Sequence, residues 1–128
     1  AAALHSAGVN SSQIQYINAH GTSTHLNDIN ESIAIERLFG DEVKKIQVSS
    51  TKGVTGHCLG AAGGIESVIL AKTIYEGVLP PTANLYEPDP QCRLDYIPLE
   101  ARDCVVSAAI FNSFGFGGTN GSLLFGKV

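Results

Sequence analysis

With 128 residues, 44% of them apolar and only 16% charged, the chain is long enough for one domain with a real core. So high an apolar share implies that something outside the chain covers part of its surface. A net charge of −4, with eight Lys plus Arg in total and no basic stripe, argues against nucleic acid as a partner. The one basic doublet, Lys44-Lys45, reads as a solvated loop or strand edge. Cys58, Cys92 and Cys104 are odd in number and lack C-x-x-C spacing, so a disulfide framework and a zinc site are both disfavoured and a reducing compartment is favoured. No apolar run is long enough to cross a bilayer, and no signal peptide opens the sequence.

Residues 1–8 ("AAALHSAG") read as the end of a helix stopped by Gly8. A chain that opens inside a helix and has no methionine anywhere reads as the carboxyl-terminal piece of something longer. Ile14 to Ala19 ("IQYINA") is a strand candidate. From about Asn27 to Phe39 a helix is expected, with Ile29, Ile33 and Leu38 as apolar positions and Gly40 as stop. Asp28 and Glu31 have capping-box spacing at its start. Ile46 to Ser50 ("IQVSS") is a second strand. A second helix runs from about Gly60 to Glu76, stops at Gly77, and is apolar nearly all round, which predicts burial on most sides. Pro80, Pro81, Pro88, Pro90 and Pro98 make the next stretch a loop with at most a short edge strand. Val105 to Asn112 and Ser122 to Val128 are two closing strands, joined through "SFGFGGTN" and expected as an antiparallel hairpin. A strand–helix–strand unit of this length closes most easily as a right-handed parallel crossover. The expected class is therefore α/β.

Two histidines stand out against this plan. His20 follows the first strand directly ("NAHGTST"), and His57 lies in the glycine-rich loop after the second ("STKGVTGHCLGAAGG"). Ligands of open α/β sheets sit beyond the carboxyl ends of the strands, and parallel strands point both ends the same way. Two imidazoles at matching strand ends can therefore converge on one site. Gly21, Gly53, Gly56, Gly60, Gly63 and Gly64 suit a site approached closely by a ligand. They also suit helix–sheet packing around two hydrogen-bonded core histidines, and spacing alone leaves both readings open.

The motifs "INAHGTST", "SSTKGVTGHCLGAAGGIES" and "NSFGFGGTN", in this order, resemble the carboxyl-terminal half of the β-ketoacyl-acyl-carrier-protein synthases of the thiolase superfamily. The resemblance spans essentially the whole chain and is nearest to the discrete synthase II type of type II fatty acid synthesis. Modular polyketide synthases tend to read "EAHGTGT" at the first motif. The fold this implies is one α-β-α half of a pseudo-symmetric pair, with a mixed sheet of about five strands.

The resemblance also implies an activity: decarboxylating Claisen condensation of an acyl thioester with malonyl-acyl-carrier protein, with no organic cofactor. It makes His20 and His57 the two histidines of a Cys-His-His triad and Lys52 the family's active-site lysine. Glu66, the one acid inside the apolar stretch of the second long helix, becomes part of a polar network, with simple exposure at a helix edge as the other reading. Asp28 and Glu31 align with family acids, although helix capping explains them equally well. Thr22 and Thr24 would line the pantetheine and malonyl channel. Phe114, Phe116, Gly117 and Gly118 would form the acyl gate, with Phe116 as the moving ring; packing in the core is the alternative. Family members can hold a monovalent cation near Asn18 and Asn112. Where the family usually has Pro after "GTST", this chain has His25, expected to be a surface substitution.

The resemblance places the nucleophilic cysteine in an amino-terminal half, outside these residues. Cys58 follows His57, and adjacent residues point apart, so it reads as a small apolar pocket lining. Neither Cys92 nor Cys104 has a base beside it in sequence. Implied partners are acyl carrier protein, the chain's own amino-terminal half and a second copy in a homodimer, with neither nucleic acid nor membrane. The implied compartment is bacterial cytoplasm or an organelle. Two other readings stay open: a polyketide-type ketosynthase half, and a non-catalytic chain-length factor, which usually degrades the histidine motifs.

Overall fold

In the computed structural model, residues 1–127 are described, and the last residue of the expected closing strand, Val128, lies outside them. Tyr16–Asn18 (β1) and Gln47–Ser49 (β2) pair in parallel, with Asn18 opposite Ser49. The crossover between them is the helix His25–Phe39 (α2). A short helix Ala2–Ala7 (α1) precedes this unit and ends at Gly8, as expected. After β2 come a one-turn helix Lys52–Thr55 (α3), which the sequence did not announce, and the long helix Ala62–Glu76 (α4). Val78–Leu79 (β3) and Arg102–Asp103 (β4) form a small antiparallel ladder of their own. Ala108–Phe114 (β5) lies parallel to β1, and Asn120–Gly126 (β6) returns antiparallel beside it.

The main sheet thus runs β2-β1-β5-β6 and is mixed, as expected, but with four strands among the described residues rather than five. The proline-rich stretch does not add a strand, because residues without an N–H cannot complete a ladder. It forms isolated bridges instead, Asp95 beside Gln47 of β2 and Pro98 beside Thr82, and connects β3 to β4.

Strand alternation sorts the core into two layers. Ile17, Val48 and Ile110 face α2 with Ile35 and Phe39, while Tyr16, Ala109 and Phe111 face α4 with Leu70. Leu70 is fully buried; truncating such a leucine to alanine costs roughly 2–5 kcal/mol. The expectation that α4 would be buried on most sides is not met. Its buried residues are Ala62, Glu66, Leu70 and Thr73, one stripe against the sheet. Val68 and Tyr75 on its other faces are 62% and 89% exposed, because nothing among the described residues packs there. Among the described residues, no helix is long and apolar enough to cross a membrane.

Candidate active site

The site lies where β1 and β2 end. His20, two residues beyond β1, is 5% exposed. His57 follows α3, where Gly56 at φ 68 turns the chain back toward the sheet. The two rings meet edge to face, with centroids 5.3 Å apart and planes at 85°. Phe114, at the end of β5, leans on the other side of His20 at 5.4 Å. The backbone N–H of Leu59 donates to His57 Nδ1 at 3.2 Å, which leaves the proton of the neutral imidazole on Nε2. Burial, then the positive charge of Lys52 and the neighbouring His57, hold His20 below the ordinary histidine pKa, against a smaller opposing pull from Asp28.

Beneath the histidines, Lys52 forms an ion pair with Glu66, whose side chains are 6% and 3% exposed. The exposed-edge reading of Glu66 is therefore wrong: the helix turns it into the sheet because Lys52 comes up opposite it. β1 laces itself to the segment that carries Lys52. Tyr16 Oη and Ser49 Oγ share a hydrogen bond of 2.7 Å, and Asn18 Nδ2 donates to Thr51 Oγ1 at 3.3 Å. Burial pushes the Tyr16 phenol well above its ordinary pKa. Among the described residues, Asn18 Oδ1, His20 Nδ1 and Glu66 Oε2 are buried without a hydrogen-bond partner.

Glu31 is not a capping residue. The helix begins at His25 with Thr24 as its N-cap, which places Asp28 in the first turn and Glu31 one turn further on. Glu31 points inward and accepts the backbone N–H groups of His20 and Gly21, each at 3.0 Å, and Asn112 Nδ2 at 3.0 Å. Burial raises its pKa, while the Gly21, Asn112 and His20 donors, with Asn27, pull it back. Asp28 accepts Asn27 Nδ2 at 3.0 Å. Of the two side-chain oxygens considered for a monovalent cation, that of Asn112 accepts the Ser122 hydroxyl at 2.8 Å, and that of Asn18 has no partner. Among the described residues, no cluster of three or more His, Cys, Asp or Glu is arranged to hold a metal ion.

Thr22 and Thr24 follow His20 in the chain, their hydroxyls 3.1 Å apart. They border a cleft of about 540 Å³ between α2 and the 82–96 loop, which His25, Asp28, Lys52 and Cys92 also line. Gly21 at φ 42 brings the chain so close to Ser50 that a Cβ there would stand 2.5 Å from the Ser50 Cβ. His25 is exposed, as expected, and so are Lys44 and Lys45, which pair with Asp41 and Glu42. Phe116 is fully exposed at the tip of the β5–β6 connection, followed by Gly117 and Gly118 at φ 79 and 84; it does not pack in this core. Cys58 is half-buried, donates its thiol to the Thr55 carbonyl at 3.4 Å, and does not line the cleft.

The structure thus gathers His20, His57, Lys52, Glu66, Glu31 and Phe114 at one end of the sheet. Tyr16, Ser49, Thr51 and Ser122 were missed. Nothing in their spacing along the sequence marks them.

The sequence profile described as "Beta-ketoacyl synthase, C-terminal domain" matches residues 1–86. The 3-oxoacyl-[acyl-carrier-protein] synthase 2 of Coxiella burnetii is 50% identical over 125 residues, which cover 98% of this chain and 30% of that protein. The chain therefore spans about 30% of the length of the curated relatives it matches. Among solved structures, a ketosynthase from Burkholderia phymatum superposes with a TM-score of 0.91 at 42% identity, over 98% of this chain and 30% of that one. The AntDE:AntF complex is described as a type II polyketide acyl carrier protein with its ketosynthase bound to the hexaketide. It gives a TM-score of 0.91 at 43% identity, over 96% of this chain and 30% of the other. The paired strand-end histidines, the mixed sheet and these matches together establish that the chain belongs to the β-ketoacyl synthases, with the α/β ketosynthase fold of their carboxyl-terminal domain.

Proposed function

We propose that the chain is the carboxyl-terminal part of a β-ketoacyl-acyl-carrier-protein synthase of type II fatty acid biosynthesis, and that it supplies the decarboxylating half of the active site. The observation that carries this reading is the contact of His20 and His57 at 5.3 Å, with burial and Lys52 disfavouring the charged form of the first and the Leu59 N–H occupying Nδ1 of the second so that Nε2–H faces outward to donate.

In the proposed reaction a cysteine of the amino-terminal part takes the acyl group as a thioester. Malonyl-acyl-carrier protein then binds with its thioester oxygen toward the two imidazoles. The C–CO₂⁻ bond breaks, carbon dioxide leaves, and the electron pair forms an enolate whose oxygen the imidazole N–H groups hold. The enolate carbon attacks the acyl thioester, the cysteine thiolate departs, and β-ketoacyl-acyl-carrier protein is released. Each preorganised donor of this kind is worth roughly 3–4 kcal/mol of barrier. Lys52 presents its ammonium to the site, with Glu66 as the counter-ion that spares it from being an unpaired buried charge. Thr22 and Thr24 line the pantetheine path, and Phe116 with Phe114, Gly117 and Gly118 gates the acyl pocket. Acyl carrier protein is the partner, and the uncovered faces of α4 are where the amino-terminal half packs. The full-length protein is a homodimer of a reducing compartment.

The reading is tested by supplying the full-length protein with acyl- and malonyl-carrier protein. Release of carbon dioxide coupled to β-ketoacyl product supports it. A full-length protein that binds both thioesters and forms neither product is a non-catalytic partner, and the reading falls.

A further inference from the structure

His20 is held in place by its backbone as well as its ring, and the hold can be traced outward. The Glu31 carboxylate takes the N–H groups of His20 and Gly21 on its two oxygens, and Asn112 Nδ2 on the first of them. A glutamine could not do this, because one of its two terminal atoms donates instead of accepting. Glu31 is 4% exposed, so a charge is kept buried for the sake of these three donors. Asn112 can serve as a donor only in one of its two amide orientations. The Glu31 carboxylate, which can only accept, fixes that orientation, since the opposite flip would set Oδ1 against a carboxylate oxygen; Ser122 then holds the amide in place by donating its hydroxyl to Asn112 Oδ1 at 2.8 Å. Asn112 and Ser122 are direct partners across β5 and β6, whose connection carries Phe116. A chain of hydrogen bonds therefore runs from an exposed residue on the edge strand, through β5 and α2, to the backbone of the buried histidine.

We infer that Ser122 and Asn112 are positioning residues for the decarboxylation step, fixing His20 against His57 through Glu31. The inference rests on the decarboxylase reading above and assigns to it two residues outside the catalytic contacts. No ionisable side chain lies on β5 or β6, so the charged groups around Glu31 are few. They are Asp28 on its own helix, His20 at the end of β1, and Lys52, which lines the same cleft. α1 brings Ala3 and Leu4 toward this corner, and Ala1 before it brings the amino group of this chain.

The informative variant in the full-length protein is Asn112→Asp, which keeps the shape and turns the donor into a second carboxylate facing Glu31. Like charges so placed share one proton when the pH falls, and the shared proton remakes the hydrogen bond. Malonyl decarboxylation should lose about 30-fold in kcat at pH 8 with KM changed less than about threefold, and the ratio to wild type should recover toward pH 5.5. Ser122→Ala, at an exposed position that leaves the core intact, should lose roughly 3–10-fold in kcat, and Ser122→Thr, which keeps the hydroxyl, should restore most of it. Amide hydrogen exchange at His20 and Gly21 should accelerate in Asn112→Asp and Ser122→Ala. A constant variant-to-wild-type ratio across pH in Asn112→Asp overturns the inference, as does wild-type exchange at both amides in Ser122→Ala. If the wild-type protein decarboxylates nothing, the functional reading fails separately, and the exchange rates still decide the hydrogen-bond chain.

Discussion

Glu66→Gln in the full-length protein isolates the contribution of the buried ion pair. The change keeps the size and polarity of the side chain and removes only the charge that faces Lys52. Because the two side chains are 6% and 3% exposed, the pair is far from the solvated regime in which an ion pair is worth about 0.2–1 kcal/mol. Leaving one member buried and uncompensated costs about 3–5 kcal/mol, a large fraction of the roughly 5–15 kcal/mol that holds a domain together. Replacing both, as Lys52→Met with Glu66→Leu, removes the uncompensated charge and should recover most of that loss. Urea unfolding of the wild type, Lys52→Met, Glu66→Leu and the double variant closes the cycle, with Glu66→Gln measured beside it. Decarboxylation should be low in Lys52→Met and remain low in the stable double variant, since neither has the cation. A loss below about 1 kcal/mol in Glu66→Gln would mean that water reaches the pair and that the buried-network account is wrong.

Three further outcomes follow from single features. Gly21→Ala places a methyl group against Ser50 at a φ of 42 and should cost roughly 1–3 kcal/mol in unfolding free energy, accompanied by loss of decarboxylation as His20 shifts; wild-type stability and rate would contradict the close approach. Phe116→Ala should change acyl-loading rates and chain-length selectivity while malonyl decarboxylation survives, and loading rates unchanged across chain lengths would leave Phe116 without a gating role. Because burial lowers the His20 pKa, the unfolded chain takes up its proton first as pH falls. The His20 contribution to stability is then intact above about pH 6.5, declines below that, and levels off once the folded state is also protonated. His20→Asn should flatten that part of the stability curve, and an unaltered slope would count against the desolvated imidazole.

The parallel crossover and the closing hairpin were legible because their causes are local: strand runs, helix periodicity and glycine stops. The convergence of His20 and His57 was legible because parallel strands leave little choice about where their ends point. The role of Glu31 was not. Its spacing from Asp28 fits a cap, and only the start of the helix at His25 turns it toward the His20 backbone. The outer faces of α4 misled in a different way. An all-round apolar helix implies packing on every side, and nothing among the described residues packs on those faces. Ser122 and Tyr16 were silent because a hydroxyl in a strand carries no spacing signal. Their partners, Asn112 and Ser49, lie on neighbouring strands and are fixed only by register.

The central claim is that the two histidines serve malonyl decarboxylation and leave acyl transfer to a cysteine elsewhere. The direct measurement compares wild type, His20→Ala and His57→Ala full-length proteins in two separate assays: acyl transfer from acyl-carrier protein to the enzyme, and carbon dioxide release from malonyl-carrier protein. One lost donor should slow carbon dioxide release by about 10²–10³-fold in either variant, while covalent acyl-enzyme still accumulates. Normal carbon dioxide release with failed acyl loading would assign the imidazoles to the opposite half-reaction and contradict the account.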